Sequence, residues 1–402
     1  MGIRGSDRYP DWRGLLTRIG REARQKEWRG PIIFDEFPYL VQASPELPSV
    51  LQRWLDHEAR EARLVVAVAG SSQRMMQGFV LSKDAPLYGR AREILEIRPL
   101  PAACLTEAFP GLTVSELVQT HASWGGVPRY WELAVEESGS PRERVESLIL
   151  DPLGPLHREP DHILIEEIPS ALEVRPVLDA IGSGVHRVSE IAGRLGRPAT
   201  SLSRPLDRLL GMGLIKRELP FGESERSRRS LYRMNDPFFR LWFRVVAPHR
   251  AYLASNDRRA RRLLLDRYWG DLVAESWEEL CRTTLPSLGL TTRLGQAGPW
   301  GAASRWWGGA ESEWDVVAES LSGDRLLLGE ARWSARPFTK SGVESESRRL
   351  ASKTQPPLGH RLAGHEILRA LFIPAVQGPV PKQVNGIHIV TAAELLKKRE
   401  NP

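Results

Sequence analysis

The sequence predicts a multidomain α/β protein, and three observations carry that prediction. Near the N-terminus, short unbroken runs of Ile, Val and Leu alternate with helix-spaced segments, the pattern of a parallel sheet whose strands are buried on both faces. The middle of the chain reads as three helix-sized segments followed by a hairpin. The C-terminal region mixes one long basic helix with alternating strands.

The size and composition fit this reading. A chain of 402 residues is too long for one ordinary core and implies two to four domains. Apolar residues make up 41% and charged residues 26%, which excludes disordered and fibrous classes. No run approaches the roughly 18 consecutive apolar residues of a membrane span, so no membrane partner is expected. The opening MGIRGSDRYPDWRG lacks the apolar stretch of a secretory signal, and a cytoplasmic protein is expected. Cys104 and Cys281, the only cysteines, provide neither a disulfide framework nor a cysteine zinc site, and both are expected to be buried.

Taken in order, Asp11 to Trp28 has apolar residues at helical spacing and ends at Gly30-Pro31. The run PIIFDEF, a helix over Leu47 to Arg60 and the run RLVVAVAGSS then form strand, helix, strand. Thr113 to Leu150 is helical with a break at Trp124-Gly125-Gly126-Val127-Pro128, a small helical lid. In Ile32-Ile33-Phe34-Asp35-Glu36 an apolar strand delivers two adjacent carboxylates to its C-terminal edge, where open α/β sheets bind ligands. In P-loop ATPases the first acid of such a pair holds Mg²⁺ and the second polarises water. A plain strand ending in an acidic turn has the same pattern.

The ordered motifs IIFDEFPYL, AGSSQRMM, APLYGR and WGGVPRYW together resemble the archaeal-type AAA+ ATPase family related to the STAND NTPases. Many of its members carry a C-terminal nuclease-like domain. The resemblance covers essentially the whole chain. It implies that Asp35 and Glu36 are a Walker B pair, with Asp35 the residue for ATP-bound Mg²⁺. Ser71 or Ser72 would be the sensor beside the γ-phosphate, and Arg90 a phosphate or inter-domain sensor; a serine satisfying a strand end remains an equal reading of Ser71. The sequence holds no G-x-x-x-x-G-K-[ST] and no Gly-Lys dipeptide, so the lysine and backbone cradle for the β- and γ-phosphates are missing. In the family that loop lies upstream of the Walker B strand, and about thirty residues ahead of Asp35 leave no room for it. The chain is therefore expected to be a truncated core defective in ATP hydrolysis.

From Ile168 to Met234, helix, helix, helix and hairpin spell a winged helix-turn-helix. Val188 to Leu195 is its first motif helix and Thr200 to Leu210 its recognition helix, with Thr200-Ser201 as N-cap. Arg204 and Arg208 would reach base edges or phosphates of double-stranded DNA, and the wing residues Arg226, Arg228 and Arg229 would add phosphate contacts. Between His186 and Arg233 eleven Lys or Arg stand against five Asp or Glu, a surplus equal to the net charge of +6 for the whole chain. A winged helix used for protein contact would carry the same solvated basic face.

In the last region the helix Arg258 to Cys281 precedes strands at Glu313 to Ala318, Arg325 to Glu330, Ile367 to Phe372 and Gly386 to Val390. An acid on one strand and E-x-K on the next is the PD-(D/E)xK nuclease pattern, in which acids bind Mg²⁺. Asp315 and Glu330 take the acidic places, Glu278 is the candidate on the helix with Glu275 and Glu279 competing, and Arg332 stands where the lysine belongs. Arginine stays protonated and cannot act as a base, so cleavage would be weak. Arg332 is expected as a resident counter-charge for Asp315 and Glu330.

The expected organisation is a partial AAA+ core over 1–110, a helical lid over 111–167, the winged helix-turn-helix over 168–235 and a DUF234-type restriction-endonuclease-like domain over 236–402. The expected function is that of a nucleotide-regulated, DNA-associated ATPase-family protein. The alternative is a truncated, non-catalytic DNA-binding or protein-interaction protein.

Overall fold

The computed structural model describes residues 9, 11–70, 76–167, 171–255, 257–290, 292–308, 313–357 and 364–397. The chain divides into two compact units, Met1–Ile97 and Arg98–Pro402.

In the first unit, helix α1 (Trp12–Gln25) starts where the Asp11 carboxylate accepts from the Gly14 N–H at 2.7 Å. Gly20 lets α1 approach the Leu55–Ala59 turn so closely that an added Cβ would lie 2.9 Å from the Glu58 Cβ. Strand β1 (Ile32–Phe34) leads into α2 (Phe37–Ala43) and α3 (Leu47–Trp54). The helix expected over Leu47 to Arg60 runs on from α3 through one π turn, Leu55–Ala59. Strand β2 (Val66–Val68) lies parallel to β1, with Ile32 opposite Val66 and Phe34 opposite Val68.

The core of this unit gathers Leu16, Phe34, Phe37, Leu47, Leu51 and Trp54. Contrary to the sequence expectation, the strands are not buried on both faces: Ile33 in β1 is 63% exposed, and Ala67 in β2 is exposed too. The helices that form this core cover the Phe34 side of a two-stranded sheet.

The second unit opens with helices. In α4 (Val114–Trp124) a capping box pairs Thr113 with Glu116. It ends as expected from the sequence, at Gly125, whose φ of 56° favours glycine and where a Cβ would lie 2.9 Å from the Asp236 carboxylate. Helix α5 (Pro128–Glu136) follows. Three further helices, α6 (Ala171–Gly182), α7 (Val188–Leu195) and α8 (Ser203–Gly211), bury Val177, Leu178, Ile181, Ile191, Leu206 and Leu209 in one cluster.

The start of α8 corrects the sequence reading. The chain makes a 3₁₀ turn over Ala199–Leu202, and the Ser201 hydroxyl donates to the Pro198 carbonyl at 2.7 Å instead of capping the helix. Pro205 explains the shift. In a helix begun at Thr200 its ring would meet the Ser201 carbonyl, whereas proline is tolerated in a first turn. An antiparallel hairpin of β3 (Ile215–Glu218) and β4 (Leu231–Met234) completes the segment.

The remaining residues build a six-stranded mixed sheet in the order β5-β6-β7-β8-β10-β9. The strands are β5 (Ser304–Trp306), β6 (Trp314–Glu319), β7 (Arg325–Ala331), β8 (Glu366–Ile373), β9 (Gln383–Val384) and β10 (Ile387–Thr391). β7 runs parallel to β8 and β8 to β10; the other pairs are antiparallel. The two edge strands, β5 and β9, are too short to stand out in the sequence. Helix α9 (Arg258–Thr284) packs Trp277 and Cys281 with Val316, Ala318, Leu327 and Phe372, and helix α10 (Lys340–Ala351) packs Val343 and Leu350 with Val317, Leu328 and Leu371. Alternate side chains therefore enter cores on opposite sheet faces.

One irregularity matters. Ser304 pairs with Val317 and Trp306 with Trp314, so β6 carries one extra residue between those pairs, a β-bulge at Asp315 and Val316. Of the cysteines, Cys281 is buried, while Cys104 is only partly so; α9 lies in the core and Cys104 at the end of a short turn. Among the described residues no helix is long and apolar enough to cross a membrane.

Candidate functional site

Strands β6 and β7 bring two acids together. Val316 pairs with Gly329, so the next residues along the ladder are Asp315 and Glu330, and the Ala331 N–H donates to the Asp315 Oδ2 at 2.9 Å. Both acids are buried, at 8% and 5% exposure. Burial and the Asp315 charge push the Glu330 carboxyl above its ordinary range, against the pull of Lys353 and Arg332.

Those two cations hold Glu330 from both sides. Arg332 Nη2 lies 2.7 Å from Oε2, and Lys353 Nζ lies 2.6 Å from Oε1. Arg332 also reaches Glu346 at 3.3 Å, and Arg349 bridges to Glu346 at 3.1 Å. Arg332 is thus the counter-charge of Glu330 in particular. Lys353 was not legible from the motif, because it follows α10 and stands far from E-x-R in sequence. The available signal was weaker: Arg349 and Lys353 lie four residues apart at the end of the helix that returns the chain to β8.

From the other sheet face α9 contributes Glu278. Burial, with the Asp315 charge second, pushes its carboxyl up to about 7, while Arg305 and Arg282 oppose the shift. Its competitors from the sequence are engaged elsewhere. Glu275 accepts from Arg233 at 2.7 Å, and Glu279 accepts from Lys216 and Arg240. The helix therefore offers Glu278 to the acidic site and Glu275 and Glu279 to the hairpin.

A divalent metal does not fit this arrangement. Each Glu330 oxygen already meets a cationic nitrogen within 2.7 Å. One Asp315 oxygen accepts a backbone N–H, and Glu278 is pushed toward its neutral form. Among the described residues no group of three or more His, Cys, Asp or Glu is arranged to hold a metal.

The β3–β4 hairpin is docked instead of free. Phe221 N–H donates to the Arg305 carbonyl at 2.8 Å, and Arg229 donates to the Trp307 carbonyl and pairs with Glu223 at 2.8 Å. Lys216 and Arg233 point at α9, where Arg240, 2% exposed, lies between Glu275 and Glu279. Part of the basic surplus read from the sequence is thus met by acids outside the segment, Glu275 and Glu279 among them. Arg208 pairs with Glu173 at 3.7 Å. Arg204, Arg226 and Arg228 are exposed.

In the first unit Asp35 and Glu36 follow β1 and are exposed. The Asp35 carboxylate accepts from the Glu36 N–H at 2.9 Å, and Glu36 takes a φ of 47° at the start of α2. Arg90 makes a two-pronged ion pair with Asp56, at 2.9 and 2.8 Å, and donates to the Pro86 carbonyl at 3.0 Å. Its guanidinium is engaged within its own unit. Ser71 and Ser72 lie outside the described residues.

Comparison with known proteins gives a family match over the long helix α9 and the first three strands of the sheet, β5 to β7. Residues 242–346 match DUF234, described as archaeal and bacterial proteins of unknown function. An uncharacterized protein of Methanocaldococcus jannaschii is 28% identical over 312 residues, covering 75% of this chain and 67% of that protein. The Walker-type ATPase of Pyrococcus abyssi is similar at a TM-score of 0.45 and 19% identity, over 61% of this chain and 73% of that one.

Proposed function

We propose, from the premise that residues 242–346 form a DUF234 domain, that the chain is an ATPase-type protein whose C-terminal domain is a nuclease-derived module that engages DNA phosphodiesters and cuts them slowly or not at all. The observation that carries this reading is Glu330 held between Arg332 and Lys353, beside Asp315, at the end of two neighbouring strands. Acids on adjacent strands with a basic side chain two residues on keep the outline of a PD-(D/E)xK site. The cations neutralise the charge that would otherwise recruit Mg²⁺.

Phosphodiester binding is supported by the free guanidinium groups of Arg204, Arg226 and Arg228 on a helix-and-hairpin segment of winged-helix outline. Backbone phosphate contact needs only exposed cations. A plasmid-nicking assay with Mg²⁺ or Mn²⁺ tests the reading. Wild type should cut no faster than Asp315→Ala; efficient cutting that Asp315→Ala abolishes would reject it.

A second reading concerns the first unit, where a parallel strand pair with Asp35 and Glu36 just past the C-terminal end of β1 supports a Walker B type of edge for ATP and Mg²⁺. In this reading the nucleotide half regulates the C-terminal module.

A further inference from the structure

We propose that Lys353 is a resident cation held on Glu330 and the Glu313 carbonyl, next to the β6 and β7 acid pair, so that the site is latent and becomes metal-binding when the lysine is displaced. The inference rests on the nuclease-derived reading and deepens it by naming what silences the site.

The surroundings of the ammonium group carry the argument. Nζ donates to Glu330 Oε1 at 2.6 Å and to the Glu313 carbonyl, and it lies 4.6 Å from the centre of the Trp314 ring. A carboxylate oxygen and a backbone carbonyl are the donors that hard cations take, and an indole face attracts cations as well. A lysine has three N–H donors; two of them go to these oxygens, and the ammonium also lies against the Trp314 ring.

The position is also built from behind. Arg369 on β8 donates to the Leu350 carbonyl at 2.7 Å and to the Lys353 carbonyl at 3.1 Å, fixing the turn that leaves α10. The Lys353 side chain as a whole is mostly buried, at 15% exposure. Arg332 neutralises the other Glu330 oxygen. Removing the Lys353 charge therefore frees one oxygen of Glu330 and the Glu313 carbonyl beside Asp315.

The test is Mn²⁺ binding, read by electron paramagnetic resonance on the full chain. Wild type should bind no Mn²⁺ at this site at concentrations up to about 1 mM, on the order of −4 kcal/mol. Lys353→Met, which keeps the stem over Trp314, should bind at least roughly tenfold more tightly, about 1.4 kcal/mol, and adding Asp315→Asn should abolish the gain. Lys353→Arg should stay metal-free; should Lys353→Met not fold, Lys353→Gln serves in its place. No gain in either neutral variant, or wild-type binding as tight as theirs, would overturn the role of Lys353. Metal-dependent nicking by wild type that Lys353→Met abolishes would make the lysine catalytic and overturn the nuclease-derived reading with it.

Discussion

Arg233 on β4 donates to Glu275 on α9 at 2.7 Å, tying the hairpin to the long helix that backs the C-terminal sheet. Around this pair Arg240, Lys216, Glu218 and Glu279 form a buried network in which cations and carboxylates alternate. Despite its burial, Glu275 is held down at about 2, with Arg240 and then Arg233 as the main opposing charges.

Breaking this network from one side should be severe. Arg240→Ala leaves Glu275 and Glu279 buried without their shared partner and should destabilise the chain by about 3–5 kcal/mol. Arg226→Ala, at an exposed position, should change stability by less than about 0.5 kcal/mol. Urea unfolding checks both. Equal effects of the two substitutions would show that the hairpin is not held by this network.

Glu278 gives the opposite pH signature from a salt-bridged acid. Its carboxyl ionises near pH 4.5 when unfolded and only near 7 when folded. Between those values the folded state retains a proton the unfolded state has lost, so stability should fall as pH rises from about 4.5 through 7. Glu278→Gln should remove that decline and be the more stable form at pH 8 by on the order of 2 kcal/mol. Thermal unfolding across pH 4 to 8 reads the difference, and a decline of equal size in the variant would assign it to another group.

Nucleotide binding should be weak. Asp35 can order Mg²⁺ only when phosphates are already held, and the sequence has no G-x-x-x-x-G-K-[ST] to hold them. Calorimetry on residues 1–402 should find no ATP–Mg²⁺ affinity tighter than about 1 mM, near −4 kcal/mol, and Asp35→Ala should leave the signal unchanged. A micromolar Kd lost in Asp35→Ala would overturn this expectation.

The elements were legible wherever a local pattern decides them. The long basic helix, the strands around Asp315 and Glu330, and the break at Gly125 follow from periodicity, alternation and a glycine that needs positive φ. What the sequence hid was set by distant partners. Lys353 reaches Glu330 only because α10 crosses back to the sheet, and two of the hairpin cations, Lys216 and Arg233, are tied to acids on α9 that lie some forty residues or more away. The burial expected for β1 and β2 failed for a related reason: unbroken apolar runs signal a strand, but not how many layers will cover it.

The bulge in β6 sets a phase. Trp314 shares its cluster with Val317, whereas Val316 belongs to the opposite one, which strict alternation from Trp314 would forbid. One extra residue turns the indole toward α10, where it forms the floor beneath the Lys353 ammonium. Between Glu313 and Val317 the number of residues is therefore as decisive as their identity. Deleting one would move the indole to the α9 side and leave the ammonium without its aromatic support, though every charged partner kept its place in the sequence.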